Sequence, residues 1–145
     1  MLLPDDLIMK RNCSKDMIKL HKKYKASIMA SMTVKKNNVN RWGIYSISKK
    51  LNKQNFVISN VIEKPNTKEA QSNNAVIGRY ILSKNIFKIL KSQTKGKGGE
   101  IHITDSIKTM IDNKSPFIGH KFTGKYLDCG SMNGYINSTL EIAKL

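Results

Sequence analysis

Leu2-Leu3-Pro4-Asp5-Asp6 opens the chain with two apolar residues, a proline and a pair of acids. This stretch reads as the end of a buried strand cut off at its start. A domain seldom begins on acidic residues emerging from a strand only two apolar positions long. In an open α/β sheet, ligands bind at the C-terminal ends of strands, which would put Asp5 and Asp6 at the mouth of a site. A carboxylate there can hold Mg²⁺, which takes one or two protein carboxylates and fills its shell with phosphate oxygens and water. A helix cap or loop pair is the competing reading, and two adjacent aspartates alone favour it.

Working outward from that start, the pattern alternates between helix and strand, as in a mixed α/β architecture. Ser14 is placed to cap a helix over residues 15–24, with Met17, Ile18, Leu20 and Tyr24 on its apolar face. Residues 26–34, 42–47 and 56–62 read as strands. The last of these stops at Glu63-Lys64-Pro65, because a residue before proline is pushed out of the helical region. Residues 74–82 form a further β run, after which Ser83 caps a helix carrying Ile86, Phe87, Ile89 and Leu90. Residues 95–99 are rich in glycine and read as a flexible loop. Thr104 or Asp105 then caps a helix bearing Ile107, Met110 and Ile111. Residues 117–122 are a strand, Gly124 a turn, and Ser131 or Asn133 opens a last helix. No repeat or linker divides the chain, so residues 1–145 are expected to belong to one domain.

The chain has 145 residues, with 26 Lys and Arg against 10 Asp and Glu, a formal net charge of +16. No run of eighteen apolar residues is present, which excludes a membrane-spanning helix. The first residues carry no secretory pattern. Cys13 and Cys129 make neither a metal spacing nor a disulfide framework, so a reducing cytoplasm is the expected setting. The charge invites a nucleic-acid reading. Against it, only Arg11, Arg41 and Arg79 are arginine, the residue favoured for bidentate recognition. The lysines are also scattered along the whole chain. No specific nucleic-acid partner is expected.

Two further places concentrate chemistry. At Glu63-Lys64-Pro65, Glu63 could accept hydrogen bonds from sugar hydroxyls and Lys64 could neutralise a phosphate, with Pro65 fixing the exit of the chain. Such a tripeptide is also common as a charged turn. In Tyr126-Leu127-Asp128-Cys129-Gly130-Ser131, a strand delivers an Asp and a small turn feeds a helix, whose N-terminus favours anions. Asp128 is there either a second cation ligand or a helix cap. His21, His102 and His120 form no ligand or triad spacing, and no Ser-His-Asp arrangement is visible.

Taken in order, these segments are more specific than any one of them. The chain resembles the C-terminal half of the bacterial UTP–glucose-1-phosphate uridylyltransferases (UDP-glucose pyrophosphorylases). The resemblance rests on Leu2-Leu3-Pro4-Asp5-Asp6, Trp42-Gly43-Ile44, Val61-Ile62-Glu63-Lys64-Pro65 and Ser72-Asn73-Asn74-Ala75-Val76-Ile77-Gly78-Arg79-Tyr80. It continues through Gly99-Glu100-Ile101-His102-Ile103-Thr104-Asp105-Ser106-Ile107 and Tyr126-Leu127-Asp128-Cys129-Gly130-Ser131-Met132-Asn133-Gly134-Tyr135. It implies an α/β nucleotidyltransferase (Rossmann-like) fold, a three-layer mixed sheet, truncated at the N-terminus.

The resemblance also implies a reaction, in which glucose 1-phosphate and UTP give UDP-glucose and pyrophosphate. Transfer of this kind depends on in-line positioning and charge neutralisation. Carried over by position, Asp5 and Asp128 would hold Mg²⁺ and Lys64 would contact the sugar phosphate. Glu63 would bind glucose hydroxyls, and the backbone at Gly43 and Gly78 would lie against the sugar. Members of the family begin with a glycine-rich loop that grips the triphosphate and base. No such loop precedes Asp5, and residues 96–99 lie in the wrong place for it. The 145-residue chain is therefore expected to be impaired or inactive alone. The expected partners are a sugar phosphate, a uridine nucleotide, and a homo-oligomer mate or a complementing N-terminal chain.

Overall fold

The computed structural model describes residues 1–9 and 12–145; Arg11, counted above among the arginines, lies outside the described residues. The central strand is β2 (Ser27–Thr33), and its alternation sets the layers. Ile28 and Ala30 point to one face, where they pack with Cys13, Met17, Ile77 and Ile118. Met29 points to the other, into a cluster with Tyr45, Ile58, Val61, Val76 and Phe117. Successive side chains of a strand project to opposite faces, so both faces of this strand need a cover. Helix α1 (Cys13–Tyr24) covers the first. Helices α2 (Ile86–Ser92) and α3 (Ile103–Asp112) cover the second through Ile86, Ile107, Met110 and Ile111. The result is the expected mixed sheet between helical layers.

Strand β2 runs antiparallel to β5 (Asn74–Ile81) and parallel to β6 (Phe117–Lys121). Strand β4 (Asn55–Ile62) runs antiparallel to both β3 (Ile44–Lys50) and β6. A single pair, Ile44 with Ala75, joins β3 to β5 and closes the five strands into a ring. Inside it, the fully buried Tyr45 donates or accepts a 2.9 Å hydrogen bond with Ser31. Its ring lies across Gly119, where a Cβ would come within 2.7 Å of it, so only glycine fits.

A separate two-stranded ribbon pairs β1 (Asp6–Met9) with β7 (Lys125–Asp128), Asp6 standing opposite Asp128. This corrects the reading of the first residues. Leu2 does pair, through one bridge to Arg79, and the Leu3 N–H donates to the Gly78 carbonyl at 2.8 Å. Asp6, however, starts a strand where it was expected to follow the end of one, and Asp5 sits at the bend between the two pairings. Proline at position 4, which lacks an N–H, suits such a change of partner.

Three helix starts also differ from expectation. Asn12 caps α1 in place of Ser14, its Oδ1 accepting from the Lys15 N–H at 3.0 Å. Helix α2 starts after Asn85 without a side-chain cap, and Ser83 only accepts from the Asn85 N–H. His102 occupies the cap position of α3, leaving Thr104 and Asp105 in its first turn, where the Asp105 charge suits the helix dipole. Ser131 does cap α4 (Met132–Ile142), accepting from the Gly134 N–H at 3.1 Å. A 3₁₀ turn over Lys36–Arg41 was not anticipated, and a second one, Lys97–Gly99, shapes the glycine-rich loop. Among the described residues no helix is long and apolar enough to cross a membrane.

Candidate functional site

Between the ribbon and the ends of β4 and β5 lies a cleft of ≈ 290 Å³. The ribbon contributes Asp5, Asp6, Tyr126 and Asp128. The turn after β4 contributes Glu63 and Lys64, and the approach to β3 contributes Arg41, Trp42 and Gly43. Strand β5 supplies Gly78 and Tyr80, and α3 supplies Thr104.

The two N-terminal aspartates have separate surroundings. Asp6 is buried, and its Oδ2 accepts from the Gly78 N–H at 2.5 Å while Oδ1 accepts from the Tyr126 hydroxyl. Its carbonyl accepts from Arg79 Nη2 at 2.5 Å. Burial, followed by the hydrogen bond from Tyr126 to Asp6, raises the Tyr126 phenol above its ordinary range and keeps it a donor. A Cβ on Gly78 would run into the Asp6 carboxylate and the Leu3 side chain, so glycine lets the ribbon dock on β5. Asp5 is exposed, and its carbonyl accepts from the Cys129 N–H at 2.7 Å.

That backbone bond brings Asp5 over the turn after β7. A Cβ on Gly130 would lie 2.7 Å from Asp5 Oδ2 and 3.3 Å from Asp128 Oδ1, so both carboxylates face one small space. Asp128 Oδ1 also accepts from the Gly130 N–H at 3.0 Å, and Oδ2 pairs with Arg41 Nη2 at 2.9 Å. The Arg41 guanidinium in turn lies over the Trp42 ring, 4.7 Å from its centre. Among the described residues, no group of three His, Cys, Asp or Glu is arranged to hold a metal. Two converging carboxylates nevertheless fit Mg²⁺, a hard cation that draws its remaining oxygens from phosphate and water.

Across the cleft, Lys64 adopts φ 41°, a left-handed conformation that costs a non-glycine residue about 1–2 kcal/mol. Its N–H donates to the Trp42 carbonyl at 3.1 Å, and Pro65 behind it is fully buried, so both neighbours hold the strained turn. Glu63 is largely shielded, with its Oε1 3.9 Å from Lys64 Nζ. A Cβ on Gly43 would stand 3.3 Å from both Glu63 Oε2 and Thr104 Oγ1, and glycine leaves that space to them. Tyr80 forms part of the floor. Burial first, then the charges of Glu63 and Asp6, raise its phenol above the ordinary value. The glycine-rich turn borders a neighbouring hollow through Gly98, beside Glu63 and Lys64.

The structure thus places Asp5, Asp128, Glu63, Lys64, Gly43 and Gly78 around one cleft, although they come from five separated stretches of chain. Sequence reading missed a site role for Arg41, counted only in the composition, and for Trp42, noted only as a strand start and part of the Trp42-Gly43-Ile44 motif, and it missed the division of labour between Asp5 and Asp6. A Trp beside an Arg just before a glycine is a faint signal that could have drawn attention to them. His21 Nδ1 lies 2.7 Å from the Ala26 carbonyl and His120 Nδ1 lies 2.8 Å from Asn55 Oδ1. Both are structural contacts, while His102 borders the cleft.

The nucleotidyl transferase family profile matches residues 1–144. A UTP–glucose-1-phosphate uridylyltransferase of Pseudomonas aeruginosa is 37% identical over 141 residues, covering 95% of this chain and 50% of the relative. The protein of the same name in Mycoplasma pneumoniae is 33% identical over 144 residues, covering 98% of this chain and 50% of its own length. The crystal structure of a UDP-glucose pyrophosphorylase complexed with UDP-glucose aligns with a TM-score of 0.91 at 38% identity, over 99% of this chain and 55% of that one. The chain spans about half the length of the curated relatives it matches. A profile match over nearly every residue, with the expected strand ends gathered around one cleft, shows that the chain belongs to the nucleotidyl transferase family.

Proposed function

We propose that this chain forms the sugar-phosphate and cation side of a uridylyltransferase centre, one that makes UDP-glucose and pyrophosphate from UTP and glucose 1-phosphate in the cytoplasm. The observation that carries this reading is the cleft itself, with Asp5 and Asp128 converging on one wall and Glu63 and Lys64 on the other. In the reaction, a phosphate oxygen of glucose 1-phosphate attacks the α-phosphorus of UTP. The bond from that phosphorus to the bridging oxygen breaks, and pyrophosphate leaves with the electron pair.

Such a transfer needs the reactants in line and their charge neutralised, with no covalent help from the protein. Lys64, held at its strained turn, places a compact positive charge where the sugar phosphate enters. Glu63, shielded and backed by Gly43, accepts hydrogen bonds from glucose hydroxyls. Gly78, whose missing side chain lets Asp6 and Leu3 dock on β5, offers only its backbone to the sugar. Asp5 and Asp128 hold Mg²⁺, which when bound neutralises charge on the triphosphate. The field of a chain carrying +16 draws in both anionic substrates.

The test is UDP-glucose formation from UTP, glucose 1-phosphate and Mg²⁺. The 145 residues alone are expected to bind glucose 1-phosphate but to turn over slowly. Turnover is expected to rise when a homologous chain carrying a glycine-rich phosphate-binding loop is added. Failure of glucose 1-phosphate to bind, or binding unaffected by Lys64→Ala and Glu63→Gln, would overturn the reading.

A further inference from the structure

Asp128 is claimed from two sides. Its Oδ1 faces the space shared with Asp5, while its Oδ2 pairs with Arg41 at 2.9 Å. Two carboxylates crowded over one glycine repel each other unless a positive charge lies close, and the guanidinium supplies one. A divalent cation between Asp5 and Asp128 would supply the same compensation. It would also stand a short distance from Arg41, with a like-charge cost that makes the two occupants antagonistic.

We propose that Arg41 is a built-in competitor for the cation site: it neutralises Asp128 until a divalent cation arrives, then gives the carboxylate up while staying on Trp42. This inference rests on the Mg²⁺ reading above. Two features equip Arg41 for the exchange. Its side chain is 55% exposed, so its ion pair with Asp128 is of the weak, displaceable kind. Its second contact, over the Trp42 ring at 4.7 Å, needs nothing from Asp128 and offers a resting place after release. Arg41 also ends the 3₁₀ turn Lys36–Arg41, and the Trp42 carbonyl holds the Lys64 N–H. Arg41 is a positioning residue in this scheme, acting through Asp128.

Trp42 is the chain's single tryptophan, so its fluorescence reports the exchange without any assay of turnover. The experiment titrates Mn²⁺ into the 145-residue chain at low salt, reading free Mn²⁺ by electron paramagnetic resonance, and follows Trp42 emission with Mg²⁺ in parallel. The variants are Arg41→Ala, Arg41→Lys, Asp128→Asn and the double variant Arg41→Ala/Asp128→Asn. Removing a competitor worth a weak surface ion pair tightens binding about three- to fivefold in Arg41→Ala. Arg41→Lys, which keeps the charge but loses the planar fork, falls between that variant and the parent. Asp128→Asn weakens binding at least tenfold, and adding Arg41→Ala to it brings no recovery. Mg²⁺ shifts Trp42 emission in the parent chain and leaves it unmoved in Arg41→Ala.

Unchanged or weaker Mn²⁺ binding in Arg41→Ala, while Asp128→Asn still loses it, overturns the competitor role and leaves the cation site standing. The same tightening in Arg41→Ala whether or not Asp128 is present would reduce the effect to general charge and also overturn it. No Mn²⁺ binding in either the parent or Arg41→Ala removes the cation reading, and the competitor with it.

Discussion

The five-stranded ring and the β1–β7 ribbon hold together by different physics. The ring is apolar and closed: Ile28, Met29, Tyr45 and Phe117 are at most 1% exposed, with helices packed on both faces. The ribbon has two strands, too few to be stable alone in water. It is fastened to β5 by directional polar bonds, with Asp6 gripping the Gly78 N–H and Arg79 gripping Asp6 and Leu3, while the Tyr126 hydroxyl ties its two strands together through Asp6. The cleft runs along the seam between them. Dense packing on one side holds a strained lysine in place, and polar clamping on the other leaves Asp5 and Asp128 open to solvent and to a ligand. Burial of apolar area could not have presented those two carboxylates, because a charge taken into a core loses its hydration.

The comparison can be broken first at the ring. Phe117→Ala opens a cavity at the crossing of β2, β6 and α3 and is expected to cost about 3–5 kcal/mol, read as a shifted midpoint of the whole urea transition. A loss confined to one segment would show that the ring is no single cooperative unit. At the ribbon, Asp6→Ala strands the Gly78 N–H and Tyr126 hydroxyl and should cost about 1–3 kcal/mol. Hydrogen exchange should quicken at residues 6–9 and 125–128 while β2 keeps its protection. Equal acceleration in β2 would mean that the ribbon and ring unfold together.

A smaller effect is expected at the strained turn. Lys64→Gly relieves φ 41° but frees the unfolded chain, for a net gain of up to about 1 kcal/mol. Thermal melting should rise slightly while glucose 1-phosphate binding weakens, and a fall in melting temperature would show that Lys64 earns its conformation through contacts. The weakest effect is one of pH. Burial lowers the His120 pKa below its usual 6.5, so the folded ring prefers the neutral imidazole held against Asn55. The unfolded chain then binds the proton more readily, so this contribution is complete above pH 6.5 and is lost as pH falls through the lower folded value. His120→Gln should flatten that acid-side slope in urea titrations at stepped pH.

Much of the fold was legible because strand and helix periodicities are local. Residues 26–34 and 74–82 stood out as apolar β runs, and the break at Pro65 marked where β4 stops. The candidate residues that were legible, Glu63, Lys64 and Asp128, sit at strand ends where a motif interrupts an apolar run. Cap choices failed where two cap-forming residues compete: Asn12 and Ser14 are both suitable, and the direction from which the chain enters α1 decides between them. Arg41 was not legible because its partner Asp128 is 87 positions away, and the Asp6 clamp on Gly78 spans 72. No local pattern distinguishes the aspartate that locks the ribbon from the neighbouring one that faces the cleft.

The sequence by itself determined the order of helices and strands, the glycines that permit close approach, and the strand ends from which the chemistry-bearing residues emerge. These follow from backbone sterics and from the period of the apolar residues, which act over a few positions. Only the tertiary structure decided which carboxylate is spent on the fold and which is presented, that Arg41 reaches Asp128, and that a two-stranded ribbon rather than the ring carries one wall of the cleft. Those outcomes depend on where distant segments meet, and a hydrogen bond or ion pair has no sequence signature until its two ends share a place in space.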